Sequence, residues 1–321
     1  MTSIFNLQQR SLSASGSSSC FSLDLMRAVM KYLPDRCARS FPLCAAMIVY
    51  VVALLALSVS SASGGLTFAG VPLTPGGTVQ ANVPLSDLEK SYVSEGGNPV
   101  PSHAVAVLAV PPGFDPKRMW PVMVAFASSE HGHQNAYDLR MIWRHFAFRE
   151  GWIALAGDGP APAPRVDSSG WRAGHTLAAL DALNRSFPGS RQWPIVLVGQ
   201  SGGAKRASYL APLFAVGGYR MAGIFLTGIN EDRITVACRR FKPPRDFFSI
   251  PIFLSSGDQD RIATPDQQLA VENSMRRTGF TNIRHKTFAG GHEGSEAHVF
   301  EALRWFRSGI EDHHKVPSAK P

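Results

Sequence analysis

Seven short strand-like runs, six of them apolar, alternate with helical segments over residues 103–308, and this alternation limits the fold more than any other feature of the chain. His103–Val110 reads HAVAVLAV and stops at Pro111-Pro112-Gly113. Pro121–Phe126, Gly151–Leu155, Pro194–Val198, Met221–Leu226 and Pro251–Ser255 share that character, and Ile283–Thr287 reads as a further, more polar strand. Short apolar runs bounded by turn residues read as buried strands. Between them lie stretches with apolar residues at helical spacing. Gln134–Glu150 carries Leu139, Ile142, Trp143, Phe146 and Phe148, and Gly174–Phe187 carries Leu177, Leu180 and Leu183. Ala204–Phe214, Gln267–Thr278 and Glu296–Phe306 complete the set. Strands alternating with helices predict βαβ units and a mostly parallel central sheet with helices on both faces. One domain is expected over residues 101–309, with no insertion large enough for a lid. Residues 64–100, punctuated by Gly, Pro and Ser, read as a leader with one helical turn at Ser86–Ser91. Residues 310–321 read as a polar tail.

Composition fits such a core. Of 321 residues 45% are apolar, which excludes a mostly disordered chain, and four cysteines are too few for a disulfide-stapled scaffold. The net charge of +8 is unevenly placed, because residues 1–63 hold five basic and two acidic side chains. The remainder is too dilute to argue for nucleic-acid binding.

Lys31, Arg36 and Arg39 precede an uncharged run from Phe41 to Val59, and Ser60-Ser61-Ala62-Ser63-Gly64-Gly65 follows. A basic n-region, an apolar h-region and a small-residue exit make an export signal, with cleavage expected after Ala62 or Ser63. Met30 would be a start of ordinary length for such a signal. The alternative is an uncleaved membrane anchor through residues 41–59, with Arg36 and Arg39 on the inner side. Either way, the rest of the chain is expected outside the cytoplasmic membrane, in the periplasm or beyond. Cys20, Cys37 and Cys44 lie in the discarded segment. The exported part keeps Cys238 alone and has no internal disulfide. Cys238 itself reads as a buried, inert thiol.

The chemistry is carried by Pro194-Ile195-Val196-Leu197-Val198-Gly199-Gln200-Ser201-Gly202-Gly203-Ala204-Lys205. It contains G-x-S-x-G with a strand before and a helix after, the context this motif needs to mean something. Glycines on either side let the chain turn sharply and leave the Ser201 hydroxyl exposed above a helix N-terminus. A hydroxyl needs a base, and the base needs an acid to orient it. For this turn the order is Ser, then Asp or Glu, then His. Gly257-Asp258-Gln259-Asp260-Arg261-Ile262 follows one strand, and Ala289-Gly290-Gly291-His292 follows another. Loops at the C-terminal ends of parallel strands are where open α/β sheets build their sites.

On these motifs, residues 103–308 resemble the α/β-hydrolase superfamily. The segment VPPGFDPKRMWPVMVAF (110–126) is similar to the opening strands of secreted esterases of the polyhydroxybutyrate-depolymerase and feruloyl-esterase type. The resemblance implies a serine hydrolase, of the carboxylesterase kind, with Ser201 as nucleophile, His292 as base and Asp260 as orienting acid. Asp258 is the rival acid, with Glu231 and Asp232 behind it. His131, His133, His175, His285 and His298 are less well placed. His292-Glu293 and His298 do not have the H-E-x-x-H spacing, so no zinc site is expected.

The oxyanion hole should take the backbone N–H of Gly202 and a second donor from the loop after residues 121–126. Relatives carry His-Gly directly after this strand. Here Ala127-Ser128-Ser129-Glu130 intervenes before His131-Gly132, so Ser128 is the expected second donor and Ala127 the alternative. No cofactor is expected. The partner is a small-molecule or polymeric ester, and a serine peptidase or a non-catalytic binding protein of the same fold are the rivals. Trp143, Trp152, Trp171 and Trp193 read mainly as core. Loop 157–173, with Arg165 and Trp171, either overhangs the site or merely connects. The basic run 239–245 reads as a solvated loop, with anion or membrane binding as its functional alternative.

Overall fold

The computed structural model describes residues 65–95, 97–128, 134–159 and 169–315. The expected export segment, Ser129–His133, Arg165 and the end of the tail lie outside the described residues. A small antiparallel pair, β1 (Thr67–Phe68) and β2 (Val71–Pro72), precedes β3 (Thr78–Val83) and α1 (Asp87–Val93). Then come β4 (Ala104–Ala109) and β5 (Val122–Phe126). Helix α2 (Asn135–Asp138) runs through a π-turn at Leu139–Trp143 into α3 (Arg144–Arg149). After these follow β6 (Ile153–Asp158), α4 (Ser169–Ser186), β7 (Ile195–Gln200), α5 (Gly202–Val216) and β8 (Met221–Thr227). The chain continues through α6 (Ile234–Phe241), β9 (Ile252–Gly257), α7 (Pro265–Thr278), β10 (Ile283–Phe288) and α8 (Glu296–Lys315).

Eight strands form one sheet in the order β10-β9-β8-β7-β5-β6-β4-β3. Strands β5 to β10 are parallel, while β4 runs antiparallel to both β6 and β3. Alternation along each strand divides the side chains between two cores. Val122, Val124 and Phe126 point with Ile195 and Leu197 to one face, into a core that also holds Leu180, Leu183, Leu210, Phe214, Val271 and Met275. Met123, Ala125, Val196 and Val198 point to the other, under Leu139, Trp143, Phe146, Phe300, Leu303 and Phe306. Burying each large aliphatic or aromatic side chain contributes about 1.5–3 kcal/mol. Both faces must therefore be covered, and the strands read as continuous apolar runs for that reason.

Four segments differ from the sequence reading. Residues 64–100 are not a leader but part of the domain: Thr78–Val83 pairs along its length with Ala104–Ala109 and forms one edge of the sheet. Ser86 caps α1 through a reciprocal box with Glu89. Helix α4 begins at Ser169, five residues earlier than expected. Its Gly170 and Gly174 look like loop punctuation but serve close packing. A Cβ on Gly174 would sit 2.5 Å from the Glu89 carbonyl oxygen and 2.6 Å from Val93 Cγ2. The basic run 239–245 is partly helical, since Arg239 and Arg240 form the last turn of α6, which ends at a left-handed Lys242. Arg240 is taken up by the Tyr209 hydroxyl at 2.8 Å and Glu95 at 3.0 Å. Finally, α8 continues past Gly309 to Lys315, so the expected polar tail begins as helix. Trp143, Trp152, Trp171 and Trp193 are all buried, as core residues. Among the described residues no helix is long and apolar enough to cross a membrane.

Candidate active site

The turn between β7 and α5 is built by close approach. A Cβ on Gly199 would collide with the backbone of Gly203, and one on Gly203 would collide with the Phe126 carbonyl oxygen. Only glycine lets the helix start directly against the ends of β5 and β7. Between them Ser201 adopts φ 54° and ψ −120°, a conformation that costs an L-residue about 1–3 kcal/mol. Its N–H donates to the Thr227 carbonyl at 2.9 Å, which pins the turn to the end of β8. Its carbonyl already accepts from Lys205 N–H, so the helix begins at once. Gly202 is the first residue of α5, and its N–H has no acceptor within the helix.

The loops after β9 and β10 bring a base and an acid to this end of the sheet. His292 Nδ1 and Asp260 Oδ2 are 2.8 Å apart. The other oxygen of Asp260 accepts the N–H groups of Ile262 and Ala263, each at 2.8 Å. Burial pushes this carboxyl up. The hydrogen bonds from Ala263, His292 and Ile262 outweigh that effect and hold it below the usual carboxylate range. A fully acceptor carboxylate on Nδ1 fixes the imidazole with its proton on Nδ1 and leaves Nε2 as the basic nitrogen. The rival acids are engaged elsewhere. Asp258 is exposed and accepts Gly290 N–H at 3.1 Å. Glu231 lies 3.0 Å from Arg233, and Asp232 bonds Thr235.

Ser201 and His292 share one small neighbourhood. Gly228 follows the Thr227 that holds Ser201, and a Cβ on it would lie 2.9 Å from His292 Cε1. Its φ of 60° also favours glycine, so this position is doubly restricted. Gln200 Nε2 donates to the His292 carbonyl at 3.3 Å, and Thr227 Oγ1 to the Glu293 carbonyl at 3.3 Å. These two polar strand ends tie the histidine loop to β7, which leads into Ser201, and to its neighbour β8. Neither stood out in the sequence, because each looks like an ordinary strand terminus. Among the described residues no hydrogen bond joins Ser201 Oγ to His292. Such contacts are often long in ligand-free sites and tighten when substrate binds.

The loop after β5 is fixed by side chains that sequence reasoning missed. Ala127 N–H donates to Asn135 Oδ1 at 2.9 Å, and the Ala127 carbonyl accepts from Arg206 Nη1 at 3.2 Å. Ala127 therefore has no N–H to spare. Ser128 is half-buried and has no hydrogen-bond partner among the described residues. Asp158 accepts the N–H groups of Asn135 at 3.2 Å and Ala136 at 2.5 Å, and lies 3.4 Å from Arg172. Burial pushes the Asp158 carboxyl up to about 6, against the pull of Arg172 and these two amides.

The remaining candidates are dispersed. His298 Nδ1 lies 2.9 Å from Ser255 Oγ inside the fold, His285 pairs with Glu272, and His175 is buried against Trp171. Burial pushes the Cys238 thiol up to about 12, so it stays protonated and unreactive at neutral pH. Among the described residues no three His, Cys, Asp or Glu side chains gather where they could hold a metal ion.

No family model matches the chain, and no curated protein sequence matches it. Solved structures do. A ferulic acid esterase aligns with 74% of this chain over 100% of its own length, at 14% identity and a TM-score of 0.51. A candidate dipeptidyl aminopeptidase IV from Bacteroides ovatus aligns with 74% of this chain at 13% identity and a TM-score of 0.51. The aligned part makes up 36% of that longer chain. With its parallel sheet, antiparallel second strand and Ser201 at the strand-to-helix elbow, the chain has the α/β-hydrolase fold.

Proposed function

We propose that the chain is an exported serine hydrolase that cleaves carboxylic esters through an acyl-enzyme on Ser201. The observation that carries this reading is the buried Asp260 carboxylate on His292 Nδ1, beside a serine held at a strained elbow. Ser201 Oγ attacks the ester carbonyl carbon as its proton passes to His292 Nε2. The carbonyl oxygen becomes an oxyanion, which the N–H groups of Gly202 and Ser128 receive. Asp260 keeps the imidazolium oriented and stabilised but takes no proton itself. The C–O bond to the alcohol then breaks, and His292 returns its proton to the leaving oxygen. Water repeats the sequence on the acyl-enzyme, giving the acid and free Ser201.

An ester is preferred over a peptide because the esterase neighbour aligns over its whole length, whereas the peptidase-type neighbour aligns over only 36% of its own. Export is supported by the basic residues Lys31, Arg36 and Arg39 ahead of the apolar run 41–59. The experiment is a fluorophosphonate probe on the purified protein, with Ser201→Ala and heat-denatured controls. A panel of p-nitrophenyl acetate, butyrate and longer esters runs beside aminoacyl-anilides. Labelling at Ser201 with ester turnover is the expected result. Anilide cleavage without ester cleavage would assign a peptidase, and no labelling of folded protein would leave a binding protein.

A further inference from the structure

The tetrahedral intermediate needs the amide after Ala127 to face the reacting carbonyl, and Ala127 is held by distant side chains at both its polar groups. Asn135 takes its N–H and Arg206 takes its carbonyl. Arg206 lies five residues along α5 from Ser201, so the helix bearing the nucleophile also grips the loop. Asn135 cannot swing freely. Its Nδ2 donates to the Gly157 carbonyl at 2.9 Å, and its Oδ1 also accepts from Arg172 Nη1 at 3.0 Å. Its own N–H is bound by Asp158. Asn135, Asp158, Arg172 and Arg206 are all buried. Burying such polar and charged groups seldom raises stability above that of a packed apolar cluster. Their return is a fixed direction for the groups they hold.

We infer that Asn135 is the positioning residue of the oxyanion hole: by anchoring Ala127 it turns the Ser128 N–H toward the intermediate on Ser201. The inference rests on the proposed ester-hydrolase reading and adds a residue that never touches substrate. It predicts a defect confined to the transition state, because the ester in its ground state makes little use of that amide.

The test compares full-length wild type and Asn135→Ala on p-nitrophenyl butyrate, with thermal melting to establish folding. Benzeneboronic acid serves as the second probe. Its boron bonds to Ser201 Oγ, the Oγ proton passes to His292, and the boron becomes a tetrahedral anion. For Asn135→Ala, kcat should fall roughly 10- to 100-fold, the cost of misplacing one oxyanion donor. KM should stay within about threefold, and boronate affinity should weaken by the same factor as kcat/KM. The inference is overturned if kcat of Asn135→Ala stays within about threefold of wild type. It is equally overturned if boronate affinity does not follow kcat/KM. Should Asn135→Ala fail to fold, Arg206→Lys loosens the other side of Ala127 and is read by the same kcat, KM and boronate criteria. A folded wild type that neither turns over ester nor takes the fluorophosphonate label would overturn the proposed function and this inference together. The other outcomes all presuppose an active wild type, so the two failures are distinguishable.

Discussion

His292 meets Asp260 and His285 meets Glu272, in each case through Nδ1 and a carboxylate oxygen at 2.8 Å. Both pairs also lie near a serine, since Ser256 and His285 line the same groove between α7 and β10. The surroundings separate them. The second oxygen of Asp260 takes only backbone N–H groups, so its charge remains available to the imidazole. Glu272 is already neutralised by Arg276, at 2.7 and 2.8 Å. Ser201 stands at a strained elbow above a helix N-terminus, with the free N–H of Gly202 beside it. Ser256 is an ordinary residue of β9, fully buried, with no hydrogen-bond partner for its hydroxyl among the described residues. A histidine–carboxylate pair is thus a common way to satisfy polar groups. What sets the proposed catalytic pair apart is an uncommitted charge and a serine that the backbone has been forced to present.

The comparison can be broken most directly at Ser201. Ser201→Ala should lower kcat/KM by about 10⁴-fold or more while leaving melting nearly unchanged, as read by ester assay and calorimetry. Ser256→Ala should leave turnover alone, and a large loss there would exchange the two sites. Next, Asp260→Asn should cost about 10²- to 10⁴-fold in kcat by upsetting the imidazole tautomer. Asp258→Asn, which keeps an oxygen for its exposed contact with Gly290 N–H, should cost less than about fivefold. A larger loss at 258 would move the acid assignment.

Glu272→Gln should destabilise by about 1–2 kcal/mol in denaturant titration, with turnover intact. Glu272 also sharpens the comparison through pH. Both Asp260 and Glu272 sit below the usual carboxylate range, so each binds its proton less readily folded than unfolded. Their stabilisation is present above the unfolded values near about 4 and is lost as pH falls through the lower folded ones. Glu272→Gln should therefore flatten the acid limb of the stability curve without changing the pH profile of kcat. A changed kcat profile would couple the two pairs.

Sequence reading found the parts whose signals are local. Strands β5, β7 and β9 are buried on both faces and announce themselves as apolar runs. Ser201 and Asp260 follow β7 and β9, His292 follows the more polar β10, and the structure brings Asp260 onto His292. Strand β3 was hidden because TVQANV at a sheet edge mixes polar and apolar residues. Helix α6 was hidden because its apolar face is only Ile234, Ala237 and Cys238, followed by basic residues. The start of α4 was masked by glycines whose purpose is visible only once α1 lies against them. Asn135, Asp158, Arg172 and Arg206 come from four separate segments, and no spacing rule connects them. The expected second donor, Ser128, gains weight only because Ala127 is spoken for by Asn135 and Arg206.

The backbone at Ser201 carries a further consequence. Its φ of 54° is comfortable for glycine alone, so Ser201→Gly would relieve strain worth about 1–3 kcal/mol while removing the hydroxyl. Under the proposed function, resistance to heat and turnover therefore pull in opposite directions at position 201. A library sorted only for survival on heating would enrich glycine there and return sturdier, silent proteins. A library sorted for turnover would hold the serine and have to find its added robustness elsewhere in the sheet.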